Sequence, residues 1–262
     1  MKHITTLFTT TWNTMTSSWK LLLTSMLIDA IYTTIFALIL TTTFTQIFGS
    51  VQNMYTIMGN TPQLNLTNTA ELNTLIQENQ TFLNAYNHMM QWIIIFLLGI
   101  FITWTLFQGI AWYITHYMCK HKLSTKTFAT RFLIITSIAS IIGIIGLYTI
   151  SILSTIGLAT LISPNIISYI TLAWIATCLY LCFFAYAQIL HTTSITNYYT
   201  ILTKHWKQSL FAYILALLFI TTSNWILMQL YSTQPILMYL FMLFIALPLY
   251  TYNRIMIVQG SE

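Results

Sequence analysis

Asp29 is the acidic residue best placed for chemistry, because it lies inside a long apolar segment of the chain. An ionisable side chain in such a segment is costly unless it is paired or hydrated, which makes it a candidate functional residue. It lies about 13 Å deeper than Lys20 along a helix that rises about 1.5 Å per residue. As a chemical group, Asp29 fits a lipid-modifying membrane enzyme. As a structural group, it would be protonated, would meet Thr or Tyr hydroxyls and backbone groups in a packed bundle, or would reach toward the headgroups.

A second cluster has side chains of the types that bind copper or zinc, namely His116, Met118, Cys119 and His121. If one helix continued through them, His116 and Cys119 would face one way, and the other two would be turned away. We therefore interpret the cluster as polar residues at the membrane surface and predict no metal and no other cofactor. His116, Cys119 and His121 are the residues that a metal would use.

The other polar residues of the apolar segments are predicted to serve packing. Cys178 and Cys182 are separated by one helical turn and share a helix face. Small and hydroxyl residues in the spans could line a polar path, or they could let helices approach closely and hydrogen-bond to each other, and we favour the second interpretation. These residues are the threonines at 41–43, Gly143, Gly146, Thr221 and Thr222. The sequence has no Gly-rich phosphate loop, His-Glu-x-x-His motif or Gly-x-Ser-x-Gly motif, and we predict that the protein is not an enzyme.

The composition indicates that these residues are embedded in lipid. Of the 262 residues, 57% are hydrophobic and only 5% are charged, whereas about a quarter of the residues of a soluble domain are charged. The basic residues form no clustered face, so nucleic acid is not an expected partner. The sequence therefore predicts an all-α membrane protein.

Six segments are long and apolar enough to cross a bilayer, which takes about 20 residues per helix. Pro164 marks the break between the third and fourth segments. Pro235 opens the sixth segment, and proline suits a first helical position. The predicted spans are residues 21–48, 92–115, 132–153, 166–190, 209–231 and 235–258.

The positions of the cations predict the orientation. With six spans, all nine Lys and Arg residues fall on one side of the membrane, and cations favour the cytoplasmic side. Both termini are therefore predicted to be cytoplasmic, in the cell membrane. The cations are Lys2, Lys20, Lys120, Lys122, Lys126, Arg131, Lys204, Lys207 and Arg254.

The segment 49–91 is then the one large exterior loop. Asn68 and Glu71 can form a capping box, and apolar residues recur at helical spacing, which predicts an amphipathic exterior helix over 69–90. The loop also contains the two Asn-x-Thr sequons, so Asn65 and Asn79 are candidate glycosylation sites.

An internal repeat is predicted from two similar stretches that precede the first and fifth spans. In each, apolar and aromatic residues recur at helical spacing and end in a Trp-Lys pair, a pattern typical of a helix in the membrane interface. We expect three units, each an interfacial helix followed by a transmembrane hairpin, over 1–115, 116–190 and 191–259. Residues 260–262 resemble a tag remnant. The predicted interfacial anchors are Trp12, Trp19, Lys20, Tyr199, Trp206 and Lys207.

The two ends of the sequence carry a resemblance to a known group. The stretch Ser18-Trp19-Lys20-Leu21-Leu22-Leu23, with Asp29 soon after, resembles the opening of small multi-pass archaeal membrane proteins of unknown function. The stretch Ala246-Leu247-Pro248-Leu249-Tyr250, followed by Arg254, is similar to their ends. The resemblance implies an architecture of interfacial helices and hairpins, and no activity.

Three functions are consistent with these features. We favour a non-catalytic component, meaning a scaffold, an assembly factor or an embedded subunit, with the bilayer and another membrane protein as partners. A permease for a small neutral or apolar solute is the alternative, because repeats are common in transporters. The third is the lipid-modifying enzyme, which would need a second acid, base or metal ligand about 3 Å from Asp29 or one bridging water away.

Overall fold

The computed structural model describes residues 2–59, 80–121, 124–153, 164–189, 195–233 and 235–260. Within these ranges the chain is helical apart from short turns, and it contains no strand. The helices are α1 (Lys2–Ser17), α2 (Trp19–Gly59), α3 (Gln80–Thr103), π1 (Trp104–Gln108), α4 (Gly109–Met118), α5 (Thr125–Leu153), α6 (Pro164–Ala187), α7 (Ile195–Thr233), α8 (Pro235–Phe241), π2 (Met242–Ala246) and α9 (Leu247–Gly260).

The six predicted spans are confirmed as helices long and apolar enough to cross a membrane. They run over Trp19–Ile57, Gln80–Met118, Thr125–Ile152, Ile166–Ala187, Ser209–Leu230 and Ile236–Gly260. Helices α6 and α8 begin at Pro164 and Pro235, where a missing N–H leaves no helical bond unmade.

The second and sixth spans each contain a π-helical turn. In π2, the Leu247 N–H donates to the Met242 carbonyl five residues earlier. Pro248 follows directly, and its ring has no N–H and would clash with the carbonyl four residues before it. A π turn at this point accommodates the proline without ending the helix. The π1 turn ends at Gln108, whose side chain is buried.

The chain divides into two compact units, of which the first comprises Met1–Ala30 and Thr105–Glu262. Its centre is α9, where buried residues point in every direction from Asn253 to Val258. Helices α1, α4, α6 and α7 pack against it. A helix that is apolar or buried all round belongs in a core rather than at a surface.

Helix α1 packs against α9 through both apolar and polar contacts. Met15 joins a buried cluster that includes Ile255. The Thr11 hydroxyl donates to the Gln259 side-chain oxygen over 2.9 Å, and the Gln259 amide donates to the Thr14 hydroxyl over 2.9 Å. One side of α1, the predicted interfacial helix, therefore contacts protein, while the predicted anchor Trp12 is 57% exposed.

Close packing of α5 and α6 in the first unit depends on Gly146. A Cβ atom at this position would overlap the indole ring of Trp174, whereas a Cβ atom at Gly143 would meet nothing within 4 Å. The prediction that glycines permit close helix approach therefore applies to Gly146 and fails for Gly143.

The second unit comprises Ile31–Trp104. Within it, α2 and α3 meet where the Tyr32 ring lies edge-on to Trp104 at 5.9 Å and where Gly99 faces Ile39. Residues 60–79 lie outside the described residues, and with them the capping box, both sequons and most of the predicted exterior helix. Residues 80–90 belong to α3, continuous with the second span.

The predicted repeat remains a prediction. Ser18 separates α1 from the first span, whereas α7 runs without a break from Ile195 through the fifth span. At both places the lysine ammonium lies over the preceding indole, at 5.8 Å for Lys20 and 5.7 Å for Lys207.

Candidate functional site

The candidate site is an ion pair between Asp29 of α2 and Arg254 of α9, inside the first unit. The two side chains meet at two pairs of atoms: Nη1 donates to Oδ1 over 2.9 Å, and Nη2 donates to Oδ2 over 2.6 Å. Asp29 is 2% exposed and Arg254 is 7% exposed. A bidentate guanidinium–carboxylate pair is among the stronger hydrogen-bonded arrangements in proteins because both charge and geometry match.

Three neutral side chains complete the network around this pair. Gln108 donates from Nε2 to Asp29 Oδ1 over 3.3 Å and accepts at Oε1 from Arg254 Nη1 over 3.4 Å. Arg254 Nη2 also donates to the hydroxyls of Ser25 and Thr251, over 2.7 Å and 3.3 Å. The Thr251 hydroxyl donates to Ser25 over 3.2 Å. The network therefore ties together α2, π1 and α9.

Helical spacing explains how the sequence assembles these groups. Ser25 and Asp29 are one turn apart and share a face of α2, as Thr251 and Arg254 share a face of α9. Gln108 is the last residue of π1, and the extra residue in a π turn shifts the helix face that follows. All five side chains are buried.

The chemistry open to Asp29 is limited by its partner. A guanidinium stays protonated in proteins and cannot accept a proton. The carboxylate therefore faces a fixed cation, so the pair acts as an electrostatic contact between helices. We expected Asp29 to be protonated, to meet hydroxyl and backbone partners, or to reach toward the headgroups. The structure adds partners that this expectation did not include, because the Asp29 oxygens accept from a guanidinium and an amide.

The predicted polar cluster after the second span has a different geometry from that of a continuous helix. The N–H of His121 donates to the His116 carbonyl, and the N–H of Lys120 donates to the Tyr117 carbonyl, each over 3.0 Å. Lys120 adopts a left-handed φ of 64°. These features form a Schellman motif, which folds the chain back over the last turn of α4. The expectation that His121 is turned away from His116 was therefore wrong.

The two histidine rings consequently meet. Their Nδ1 atoms are 3.2 Å apart, and His116 Nε2 lies 2.9 Å from the Tyr186 carbonyl. Because a carbonyl only accepts, Nε2 of His116 carries a proton, and in the neutral pair the Nδ1 of His121 donates to the Nδ1 of His116. Arg131 donates to the Ile189 carbonyl over 2.7 Å. The side chains of His116 and Arg131 therefore cap two carbonyls at the C-terminal end of α6, where basic side chains are favoured.

No metal site follows from this contact. In the part of the chain that the structure describes, no three His, Cys, Asp or Glu side chains are grouped so that they could hold a metal ion. Cys119, Cys178 and Cys182 form no disulfide and are of intermediate burial.

A serine and a histidine in the second unit lie as close as a catalytic nucleophile and its general base, but the histidine donates to the serine instead of accepting from it. Ser50 Oγ lies 2.8 Å from His88 Nδ1 and donates to the Gln46 carbonyl over 2.9 Å. The Trp92 indole donates to His88 Nε2 over 3.1 Å. The Nδ1 of neutral His88 must therefore carry the proton and donate to Ser50, so it cannot accept the serine proton. The contact links α2 and α3.

Sequence reasoning missed Arg254 as a partner of Asp29. Arg254 was counted among the cations on the cytoplasmic side, although Thr251 and Arg254 share a helix face and the helix continues to Gly260. An acidic and a basic residue within apolar helices were the available signal, since each is costly to bury unpaired. Gln108 could not be found in this way, because its face depends on the π turn.

These features define a multi-pass helical membrane protein with an ion pair buried inside its helices. The chain matches no protein family, no curated protein and no solved structure.

Proposed function

We propose that this chain is a non-catalytic membrane component that acts as a scaffold, an assembly factor or an embedded subunit of a membrane complex. The observation that carries the proposal is that the charged groups of Asp29 and Arg254 bond to each other inside the protein. Both carboxylate oxygens accept from the guanidinium, and three buried neutral groups take up further bonds. The charges are thereby directed at each other, as in a contact that holds helices in register.

The cost of burying charge supports this role. A carboxylate and a guanidinium each lose several kcal/mol of hydration on burial, and good geometry with extra hydrogen bonds is needed to offset the loss. The network around Asp29 supplies such bonds from three helices. A lipid-modifying enzyme that used Asp29 would instead need a carboxylate that a substrate can reach.

The proposed orientation has both termini in the cytoplasm and the chain in the cell membrane. It rests on the sequence positions of the nine Lys and Arg residues, which would all fall on one side of a membrane crossed six times. Apolar side chains exposed along the spans, such as Ile141 and Phe244, suit contact with lipid. The bilayer and a protein of the same membrane are the proposed partners.

The experiment compares the purified chain with the chain isolated from its native membrane. We expect it to co-purify in a mild detergent with another membrane protein at a fixed ratio, in amounts that follow its own. Purified alone into lipid vesicles, it is expected to change neither solute flux nor lipid composition. Solute uptake or lipid turnover by the purified chain, abolished in Asp29→Asn while the variant stays folded, would contradict the proposal.

A further inference from the structure

We infer that Asn253 holds a water molecule inside the first unit, and this inference does not depend on the proposed function. Asn253 is 2% exposed. Neither its amide nitrogen nor its amide oxygen has a hydrogen-bond partner within the described residues. No other described residue leaves two buried side-chain atoms unpartnered.

The free energy of burial makes a dry, unpaired amide unfavourable. Transfer of an amide from water into apolar surroundings is unfavourable unless new hydrogen bonds replace those to water. Buried polar groups in proteins are therefore almost always paired with protein or with ordered water. The two residues that follow Asn253 in α9, Arg254 and Ile255, are buried as well, so bulk solvent does not satisfy the amide.

Two further buried polar groups lack a hydrogen-bond partner among the described residues, one on α9 and one on its neighbour α7. Arg254 Nε is a buried donor without a partner, and so is the Ser223 hydroxyl of α7, which can also accept. Tyr250 donates to Asn224 of α7 over 3.0 Å, and Asn253 follows Tyr250 by one helical turn, so we place Asn253 on the side of α9 that faces α7. A buried water commonly makes about three hydrogen bonds to such groups.

The chemistry of the amide defines the occupant. Asn253 offers one acceptor and a donor group side by side, which matches a neutral molecule that both donates and accepts. Water is the smallest such molecule, and its bonds are nearly as favourable as direct ones. The site continues the polar network of Arg254 toward α7.

The first test is Asn253→Leu, which keeps the approximate size and removes both hydrogen-bonding groups. If Asn253 binds water, the folding equilibrium constant in mixed micelles should fall about tenfold, because the bonds to the water are lost and its other partners are left unsatisfied. Ile255→Leu, at a fully buried neighbouring position, is the matched control for repacking and should change the constant less. An unchanged or higher constant for Asn253→Leu would overturn the inference, because the protein becomes more stable when a buried amide without any hydrogen bond is replaced by an apolar side chain.

The second test needs no variant. An experimental structure of the parent chain at a resolution that shows ordered water should contain a water within hydrogen-bonding distance of the Asn253 amide. A dry contact at this amide, or an Asn253 rotamer bonded to a protein group, would overturn the inference.

Discussion

At the scale of single residues, the pairing of Asp29 with Arg254 lowers the free-energy cost of burying each charge inside the protein. Each side chain supplies the counter-charge of the other, and Ser25, Thr251 and Gln108 take up further bonds. Replacing a whole buried pair by apolar groups is often neutral, whereas removing one partner leaves a charge uncompensated. The pair and its single variants should therefore behave very differently.

The first prediction concerns the single variants Asp29→Asn and Arg254→Gln. Each should lower the free energy of unfolding by about 3–5 kcal/mol, because a buried charge is left without its counter-charge. Unfolding in mixed micelles measures the effect, and Lys20→Gln, at an exposed position, should change stability by less than about 0.5 kcal/mol. An Asp29→Asn variant as stable as the parent, which is the outcome expected of an Asp without a cation, would show that the pair does not form.

The second prediction concerns Lys120, whose φ of 64° is unfavourable for a residue with a Cβ atom. Lys120→Gly should raise the free energy of unfolding by about 1 kcal/mol, because glycine adopts this conformation without steric cost. The matched control is Lys207→Gly, within the continuous helix α7, which should lower it by about 1 kcal/mol. Two losses of similar size would mean that the Schellman turn is absent.

At the scale of elements, the sequence predicted the spans well and the irregular turns poorly. Hydropathy and the two prolines predicted where the spans lie, since lipid requires a long apolar helix at each crossing. The turn after α4 and the π1 turn carry no such pattern, because a lysine at the left-handed position replaces the usual glycine and π turns have no composition of their own. The meeting of His116 with His121 and the position of Gln108 follow from these turns, so neither could be predicted.

The third prediction concerns the contact between α5 and α6. Gly146→Ala should lower the free energy of unfolding by about 1–3 kcal/mol, because its Cβ atom overlaps the Trp174 ring in a well-packed contact. Gly143→Ala is the control, since its Cβ atom meets nothing within 4 Å, and it should be neutral or stabilising by up to about 1 kcal/mol through helix propensity. Equal effects of the two variants would contradict the packing described here.

At the scale of the whole molecule, the fourth prediction concerns orientation. In a variant without native cysteines, Asn60→Cys and Leu75→Cys should react with a membrane-impermeant reagent on intact cells, because they follow the first span on the side without cations. Lys122→Cys and Lys204→Cys should react only after lysis. Reaction of Lys122→Cys on intact cells would overturn the orientation.

The most direct test of a structural role for the ion pair is the apolar double variant Asp29→Leu with Arg254→Met. Removing both charges leaves no charge uncompensated, so the double variant should be more stable than Asp29→Asn or Arg254→Gln, and Ser25 and Thr251 can still bond to each other. The measurement is assembly in the native host, as the ratio of the co-purifying membrane protein to this chain. We predict the parent ratio. A folded double variant that no longer assembles would contradict a purely structural role for the pair.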